Sequence, residues 1–253
     1  MQTDITYDSA SSKVKAYRVV PENARAAVIL IHEIWGLNDN IRSIADRLAG
    51  EGYSVLAPNL YSAHEALNSE NIGKVMSRVW SIPQEKRGDP EMYKSLAETL
   101  SKQEREVVDL LVLNRQPLEN EMITHLKSAY NFLSGEKVVS MGFCMGGGLA
   151  FQLATEVKLA GSVIFYGRNP QPLESIAKIS GPVITLYAGD DPAINSGIPE
   201  MVGAMIKHGK DLELKVYPGT NHAFFNETGR TYNSSAATDA WIRVKNFLRR
   251  ILP

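Results

Sequence analysis

The sequence predicts an α/β protein with a mostly parallel central sheet and helices on both faces. Apolar, strand-like segments alternate with helix-like segments along most of the 253 residues, and this alternation is typical of a parallel sheet. The segment at 26–31 is continuously apolar, as strands covered on both faces are. The length suits a single domain over residues 1–253, which can bury a core without disulfides.

The first elements form a βαβ unit. Residues 14–20 mix apolar and basic residues in rough alternation, which favours an outer strand. Residues 26–31 are predicted to be a buried strand, and residues 38–50 a helix, because their apolar residues recur at helical spacing. Residues 52–57 form the next strand, which Pro58 ends. A strand, a helix and a strand within about thirty residues indicate a βαβ unit.

Residues 62–116 interrupt the alternation. They are polar and helical in propensity, carry Pro83, Gly88 and Pro90, and contain no buried-strand segment. We expect a helical insertion of two or three helices here, forming a cap or a flank. Long connections between strands and helices are the alternative.

The alternation resumes after the insertion. The order of elements again predicts strands that are covered by helices on both sides. The predicted helices are 121–133, 147–155, 199–208 and 238–251, and the predicted strands are 137–143, 160–166, 181–187 and 212–217.

Charge and hydropathy exclude several partners. Lys and Arg total 27 against 28 Asp and Glu, which argues against a broad basic surface for nucleic acid or an anionic membrane. The longest apolar runs fall far short of the ~20 residues that span a bilayer. The N-terminus lacks the basic and apolar regions of a signal peptide. We expect a soluble, cytoplasmic protein that is a monomer or a small homo-oligomer.

The single cysteine, Cys144, excludes an intramolecular disulfide and a cysteine-based zinc site. It lies in Gly142-Phe-Cys144-Met-Gly146, where an apolar strand meets an apolar helix. This is the context of a nucleophile elbow, G-x-[SC]-x-G. The helix N-terminus there favours a reactive thiolate. A buried core cysteine is the alternative, and the glycines match neither common phosphate-binding motif.

A thiol nucleophile needs a base and an orienting acid, which follow it in the order acid, then base in this fold class. Only His208 and His222 follow Cys144. His208 lies at the polar end of a helix, whereas His222 lies in a loop after a strand, where α/β sheets place functional groups. Asp190 and Asp191 follow an intervening strand. We favour Asp191 and keep Asp190 as the alternative.

The chain resembles the dienelactone hydrolase family of the α/β-hydrolase superfamily. The resemblance lies in motifs spread over nearly the whole chain outside the insertion: Ile31-His-Glu-Ile-Trp-Gly-Leu-Asn38, Gly52-Tyr, Ala57-Pro-Asn-Leu-Tyr61, Gly142-Phe-Cys-Met-Gly-Gly-Gly148, Gly189-Asp-Asp191 and Tyr217-Pro-Gly with His222-Ala-Phe. It implies an α/β-hydrolase fold and hydrolysis of a small ester or lactone through an acyl-thioester, with no metal or organic cofactor.

The resemblance also implies site residues. The triad would be Cys144, His222 and Asp191, and Glu33 would take part in switching the thiol between its neutral and ionised forms. The oxyanion hole would use the backbone N–H of Met145 and that of Ile34. Three aromatic residues, each of which fits the core equally well, are candidate pocket walls: Trp35, Tyr61 and Trp80.

One departure bears on the substrate. Relatives that take a carboxylate-bearing dienelactone are expected to carry an arginine shortly after the catalytic histidine, but the first arginine here is Arg230. Arg78 or Arg87 in the insertion could substitute. The alternatives to a dienelactone-type hydrolase are a broader carboxylesterase or thioesterase and a catalytically silent, hydrolase-fold binding protein.

Overall fold

The structure, a computed structural model, describes residues 1–10, 12–83, 86 and 89–252. One eight-stranded sheet runs through it in the order β1-β2-β4-β3-β5-β6-β7-β8. The first two strands pair antiparallel, β2 is antiparallel to β4, and the remaining pairs are parallel. The strands are β1 Gln2–Ser9, β2 Ser12–Val19, β3 Ala27–Ile31, β4 Ser54–Pro58, β5 Val138–Phe143, β6 Gly161–Phe165, β7 Val183–Asp190 and β8 Leu212–Asn221.

Helices connect the strands. The α-helices in the described part of the chain are α1 Asp39–Gly50, α2 Ser69–Ser81, α3 Pro90–Glu98, α4 Lys102–Val108, α5 Arg115–Phe132, α6 Met145–Ala154, α7 Pro192–Asn195, α8 Ile198–Lys207 and α9 Ser234–Ile251. A π-helical turn occupies Asp109–Leu113 and a 3₁₀ segment Leu173–Lys178. None of these helices is long and apolar enough to cross a bilayer.

Two cores lie on the two faces of the sheet, which confirms the predicted fold class. In β3, Ile29 and Ile31 pack into one core, and Val28 and Leu30 into the other. This division follows from the two-residue side-chain period of a strand. The first core receives α2, α4, α5, α6 and α8, and the second receives α1 and α9.

Several boundaries differ from the prediction. The edge strand β1 was not predicted, because all its residues except Ile5, Tyr7 and Ser9 are exposed and polar residues dominate it. Helix α5 begins at Arg115 rather than at residue 121, since a proline in the first turn of a helix loses no internal hydrogen bond. Strand β7 continues to Asp190 and β8 to Asn221, so both strands reach the residues of the predicted site.

Between β4 and α5, the described residues form α2, α3, α4 and the π-helical turn, with no strand among them. The apolar side of α2 packs into the core through Ile72, Val75, Met76 and Val79. This packing fixes the opposite side of α2 over the carboxyl end of the sheet, where Trp80 meets Trp35.

Candidate active site

Cys144 lies at the turn between β5 and α6, with a φ of 55° and a ψ of −118°. A non-glycine residue rarely adopts this conformation. The glycines around it are required by the close approach of the backbone. A Cβ at Gly142 would collide with the Gly146 carbonyl, and a Cβ at Gly146 would collide with the carbonyl of His32. The half-buried thiol therefore stands at the first turn of α6, beside N–H groups that have no acceptor within the helix.

His222 and Asp191 meet at the carboxyl ends of two neighbouring parallel strands. Asp191 directly follows β7, and His222 directly follows β8. The distance from His222 Nδ1 to Asp191 Oδ2 is 2.5 Å. Asp191 is buried, whereas the Asp190 side chain is exposed, and Asp190 pairs with Asn221 in the ladder between the strands. Of the two adjacent carboxylates, only Asp191 is therefore paired with the imidazole.

The charges around His222 favour its protonated form. Burial opposes protonation, but hydrogen bonds with Asp191 and with the Cys144 thiol outweigh it and raise the pKa of His222 to about 10. The imidazole thus contacts the thiol on one side and a carboxylate on the other. This arrangement suits an imidazolium that stabilises a thiolate. His208 lies elsewhere, as the half-buried C-cap of α8.

Glu33 is buried beside this group, just after β3. Its Oε2 accepts a hydrogen bond from Asn226 Nδ2 at 2.6 Å, and its Oε1 accepts one from the Tyr166 hydroxyl at 3.3 Å. Burial raises the pKa of Glu33, and the two hydrogen bonds and His222 offset part of that increase. The carboxyl group therefore stands within the electrostatic field of the imidazole, and both groups that donate hydrogen bonds to it are neutral.

The sequence did not indicate Tyr166 or Asn226 as site residues. Tyr166 follows β6 with a φ of 37°, and its ring lies 5.0 Å from that of His222. Burial raises the pKa of the Tyr166 hydroxyl well above its ordinary value, so it remains a neutral donor. The one local feature that marks Tyr166 as a site residue is its strained backbone conformation, which cannot be read from the sequence.

The loop after β3 carries the predicted second oxyanion donor. The Tyr61 hydroxyl donates to the Ile34 carbonyl at 2.9 Å and contacts Met145 Sδ at 3.7 Å. His32, fully buried, connects the same loop to β4: its Nε2 accepts from the Leu60 N–H at 3.1 Å, and its Nδ1 lies 2.6 Å from the Glu33 carbonyl. These contacts fix the loop that carries Ile34 beside the elbow.

A cavity of about 910 Å³ opens at the thiol. Cys144, His222 and Glu33 line one end, and Trp35 and Trp80 form a wall with their rings edge to face, 5.4 Å apart. Tyr61 is buried behind the loop and is not among the lining residues. Among the residues that the structure describes, no cluster of three metal-binding side chains occurs.

The arginines considered from the sequence lie at different places. Arg230 lines the cavity on an exposed turn. Arg78 is directed to the Thr99 hydroxyl and is not among the lining residues. Arg87 lies outside the described residues. The fourth residue after His222 is Asn226, the donor to Glu33.

Comparison with known proteins gives consistent results. A model described as "Dienelactone hydrolase family" matches residues 14–252. A protein of Saccharolobus solfataricus named "Putative carboxymethylenebutenolidase" is 58% identical to this chain over 99% of both sequences. A protein of the same name from Aquifex aeolicus is 29% identical over 98% of both.

A solved structure shares the fold. The crystal structure of a "Putative Dienelactone Hydrolase" from Klebsiella pneumoniae has a TM-score of 0.76 to this chain at 22% identity. The alignment covers 99% of this chain and 98% of that one. The two chains therefore share their overall fold.

Proposed function

Because the chain belongs to the dienelactone hydrolase family, we propose that it hydrolyses a small ester or lactone through a Cys144–His222–Asp191 triad and an acyl-thioester intermediate. The carboxylic ester hydrolase activity itself follows from the family. The observation that carries the finer mechanism is that His222 bonds to Asp191 and lines, together with Cys144, one end of an open cavity.

Acylation begins with the thiolate. The Cys144 sulfur attacks the carbonyl carbon, a C–S bond forms, and the carbonyl electrons move onto oxygen. The N–H groups of Met145 and Ile34 donate to this oxyanion, and each such donor contributes about 3 kcal/mol in other acyl-transfer enzymes. As the intermediate collapses, the C–O bond breaks, and the departing alkoxide takes the proton of the His222 imidazolium.

Deacylation reverses the role of His222. The neutral imidazole removes a proton from a water molecule as its oxygen attacks the thioester carbon. The C–S bond then breaks, and the thiolate leaves beside the protonated imidazole. Asp191 holds the ring with Nδ1 toward itself and Nε2 toward the reacting atoms throughout. For a lactone, the leaving oxygen remains tethered to the acyl group as a hydroxyl, and deacylation releases a single hydroxy acid.

The test is a Cys144→Ala variant assayed with p-nitrophenyl acetate and with a series of lactones. We expect folded protein, judged by circular dichroism and melting, with no turnover above background. Cys144→Ser should be a poor enzyme, because a hydroxyl needs a stronger base than a thiol. Mass spectrometry of acid-quenched wild type should detect the acyl group on the peptide that contains Cys144. Substantial turnover by folded Cys144→Ala would refute the nucleophile.

A broader carboxylesterase or thioesterase is the second candidate. The cavity of about 910 Å³ is far larger than a single small lactone ring requires. A screen of lactones, acyl esters and acyl thioesters would distinguish the two: comparable kcat/KM across all three classes would favour the broader activity. A catalytically silent binding protein would turn over none of them.

A further inference from the structure

The catalytic end of the cavity contains a buried, hydrogen-bonded pair: the neutral amide of Asn226 and the carboxyl group of Glu33. Asn226 is 5% exposed and Glu33 is 3% exposed, and both line the cavity beside Cys144. The Asn226 amide donates to Glu33 at 2.6 Å. A buried carboxyl group commonly pairs with a cation, but here an amide and the Tyr166 hydroxyl satisfy it.

Thr228 determines which end of the Asn226 amide faces Glu33. The backbone N–H of Thr228 donates to Asn226 Oδ1 at 3.0 Å, and the Thr228 hydroxyl lies 2.8 Å from the same oxygen. A backbone N–H can only donate, so Asn226 must present its oxygen to Thr228 and its NH₂ to Glu33. These bonds at both ends of the amide fix its orientation and oppose its rotation toward an anionic ligand.

Among the described residues, the catalytic end of the cavity offers no unpaired positive charge to a substrate. His222 supplies one positive charge at neutral pH, because its pKa is raised to about 10. The Asp191 carboxylate pairs with this charge at 2.5 Å, and the other titratable groups that line this end of the cavity, Cys144 and Glu33, are acids. A substrate carboxylate held here would lose its hydration without gaining a cation, and burial of an unpaired charge is strongly unfavourable.

The remaining walls favour an apolar group. Trp35 and Trp80 form an aromatic corner, and the side of α2 that faces the cavity consists of Ser69, Gly73, Ser77 and Ser81. These small side chains leave room beside the indole rings. Besides His222, Arg230 is the one cation among the described lining residues, and it lies on an exposed turn rather than at the buried end with Glu33.

We propose that this enzyme is selective for esters whose acyl group is uncharged and apolar, and that the Asn226–Glu33 pair excludes acyl groups bearing a carboxylate. This inference rests on the proposed function, since it assumes that the ester is bound at Cys144. Asn226 acts as a specificity-determining residue. A cation at its position beside Glu33 would neutralise a substrate carboxylate, whereas the Asn226 amide is neutral and does not.

The test compares p-nitrophenyl hexanoate with mono-p-nitrophenyl adipate. The two acyl chains have the same length, and the adipate ends in a carboxylate that is too distant to cleave its own ester readily. With each rate divided by the hydroxide-catalysed rate of the same ester, we expect kcat/KM for the hexanoate to be on the order of 100-fold higher, as unpaired like charges give such discrimination. Equal values would overturn the proposal.

Two variants test whether Asn226 causes the preference for the uncharged ester. Asn226→Arg should reduce the ratio at least tenfold, and the neutral Asn226→Gln should keep it even if both rates fall. A ratio unchanged in folded Asn226→Arg would overturn the role of Asn226. If Asn226→Arg does not fold, the wild-type ratio at low and high salt decides the matter: a smaller ratio at high salt supports electrostatic exclusion, and a constant ratio refutes it.

Arg230→Gln tests the opposite interpretation, in which Arg230 binds the carboxylate of the substrate. We expect it to affect the two esters equally. A tenfold loss for the adipate alone would identify Arg230 as an anchor for a carboxylate and would overturn the proposal. Failure of the proposed function has a different signature, because folded Cys144→Ala would then still hydrolyse the hexanoate, whatever the ratio between the two esters.

Discussion

The Tyr61 hydroxyl donates to the carbonyl oxygen of Ile34 at a distance of 2.9 Å. The same hydroxyl lies 3.7 Å from Met145 Sδ, so a single buried side chain contacts both residues whose N–H groups are proposed to form the oxyanion hole. The sequence suggested Tyr61 as a pocket wall, whereas its position behind the loop makes it a positioning residue for Ile34.

Tyr61→Phe should lower kcat about tenfold with little change in KM. This factor corresponds to the loss of one hydrogen bond of about 1 kcal/mol or slightly more. The reason is that the oxyanion forms only in the transition state, so a displaced donor weakens that state alone. Steady-state kinetics with p-nitrophenyl acetate provide the measurement. Tyr217→Phe is the matched control, because its hydroxyl donates to Asp239 outside the cavity. A rise in KM with unchanged kcat would instead place Tyr61 in substrate binding.

Asp191→Asn should reduce kcat by a factor on the order of 10⁴, as loss of the orienting acid does in a serine protease triad. It should also move the alkaline limb of the kcat/KM profile to lower pH. Burial lowers the pKa of His222, and the hydrogen bond to Asp191 is the largest of the contributions that raise it to about 10.

Asp190→Asn is the matched control for that experiment. Asp190 directly precedes Asp191 at the end of β7, and its side chain is exposed. We expect less than a tenfold change in kcat and an unshifted pH profile. If Asp190→Asn were the more damaging of the two, the assignment of the acid would have to be exchanged.

The sequence was sufficient for the central strands of the sheet, although it ended β7 and β8 too early. Strands such as Ala27–Ile31 are buried on both faces and therefore consist of continuous apolar residues. The elbow glycines are specified by backbone contacts within a few residues, so their spacing alone indicates the turn. The edge strand Gln2–Ser9 was missed because its exposed residues carry no such pattern.

Contacts between site residues that are far apart in the sequence were not predictable. Asn226 is 193 residues from Glu33, and Tyr166 is 133 residues from it. Nothing local in either segment distinguishes a donor to a buried carboxyl group from an ordinary loop amide or strand-end tyrosine. Trp80 was named as a candidate pocket wall because it is aromatic, and it lines the cavity.

Glu33→Gln should increase the thiolate fraction of Cys144, because a carboxylate near a thiolate destabilises it. We expect alkylation by iodoacetamide near pH 7 to become several-fold faster, up to about tenfold. The measurement is the second-order alkylation rate as a function of pH. Glu200→Gln, an exposed site on α8, is the control. Superimposable profiles for wild type and Glu33→Gln would limit Glu33 to shaping the loop that holds Ile34.

Stability should depend on pH through His32. Burial lowers the pKa of this fully buried histidine to about 4, whereas an unfolded chain has a histidine pKa of about 6.5. Between these values the unfolded state binds more protons than the folded state, so the free energy of unfolding increases with pH. The contribution of neutral His32 is fully present above pH 6.5 and is lost as the pH falls toward 4.

The loss amounts to about 2 to 3 kcal/mol between pH 7.5 and pH 4.5, and urea unfolding at the two pH values measures it. Other groups titrate over this range, so the decisive quantity is the difference in slope between wild type and His32→Asn. The variant should be less stable at pH 7.5, because Leu60 loses its acceptor, but should lose less stability on acidification. His208→Asn, at the half-buried end of α8, should keep the wild-type slope. Equal slopes for wild type and His32→Asn would mean that protonation of His32 is not what destabilises the folded protein at low pH.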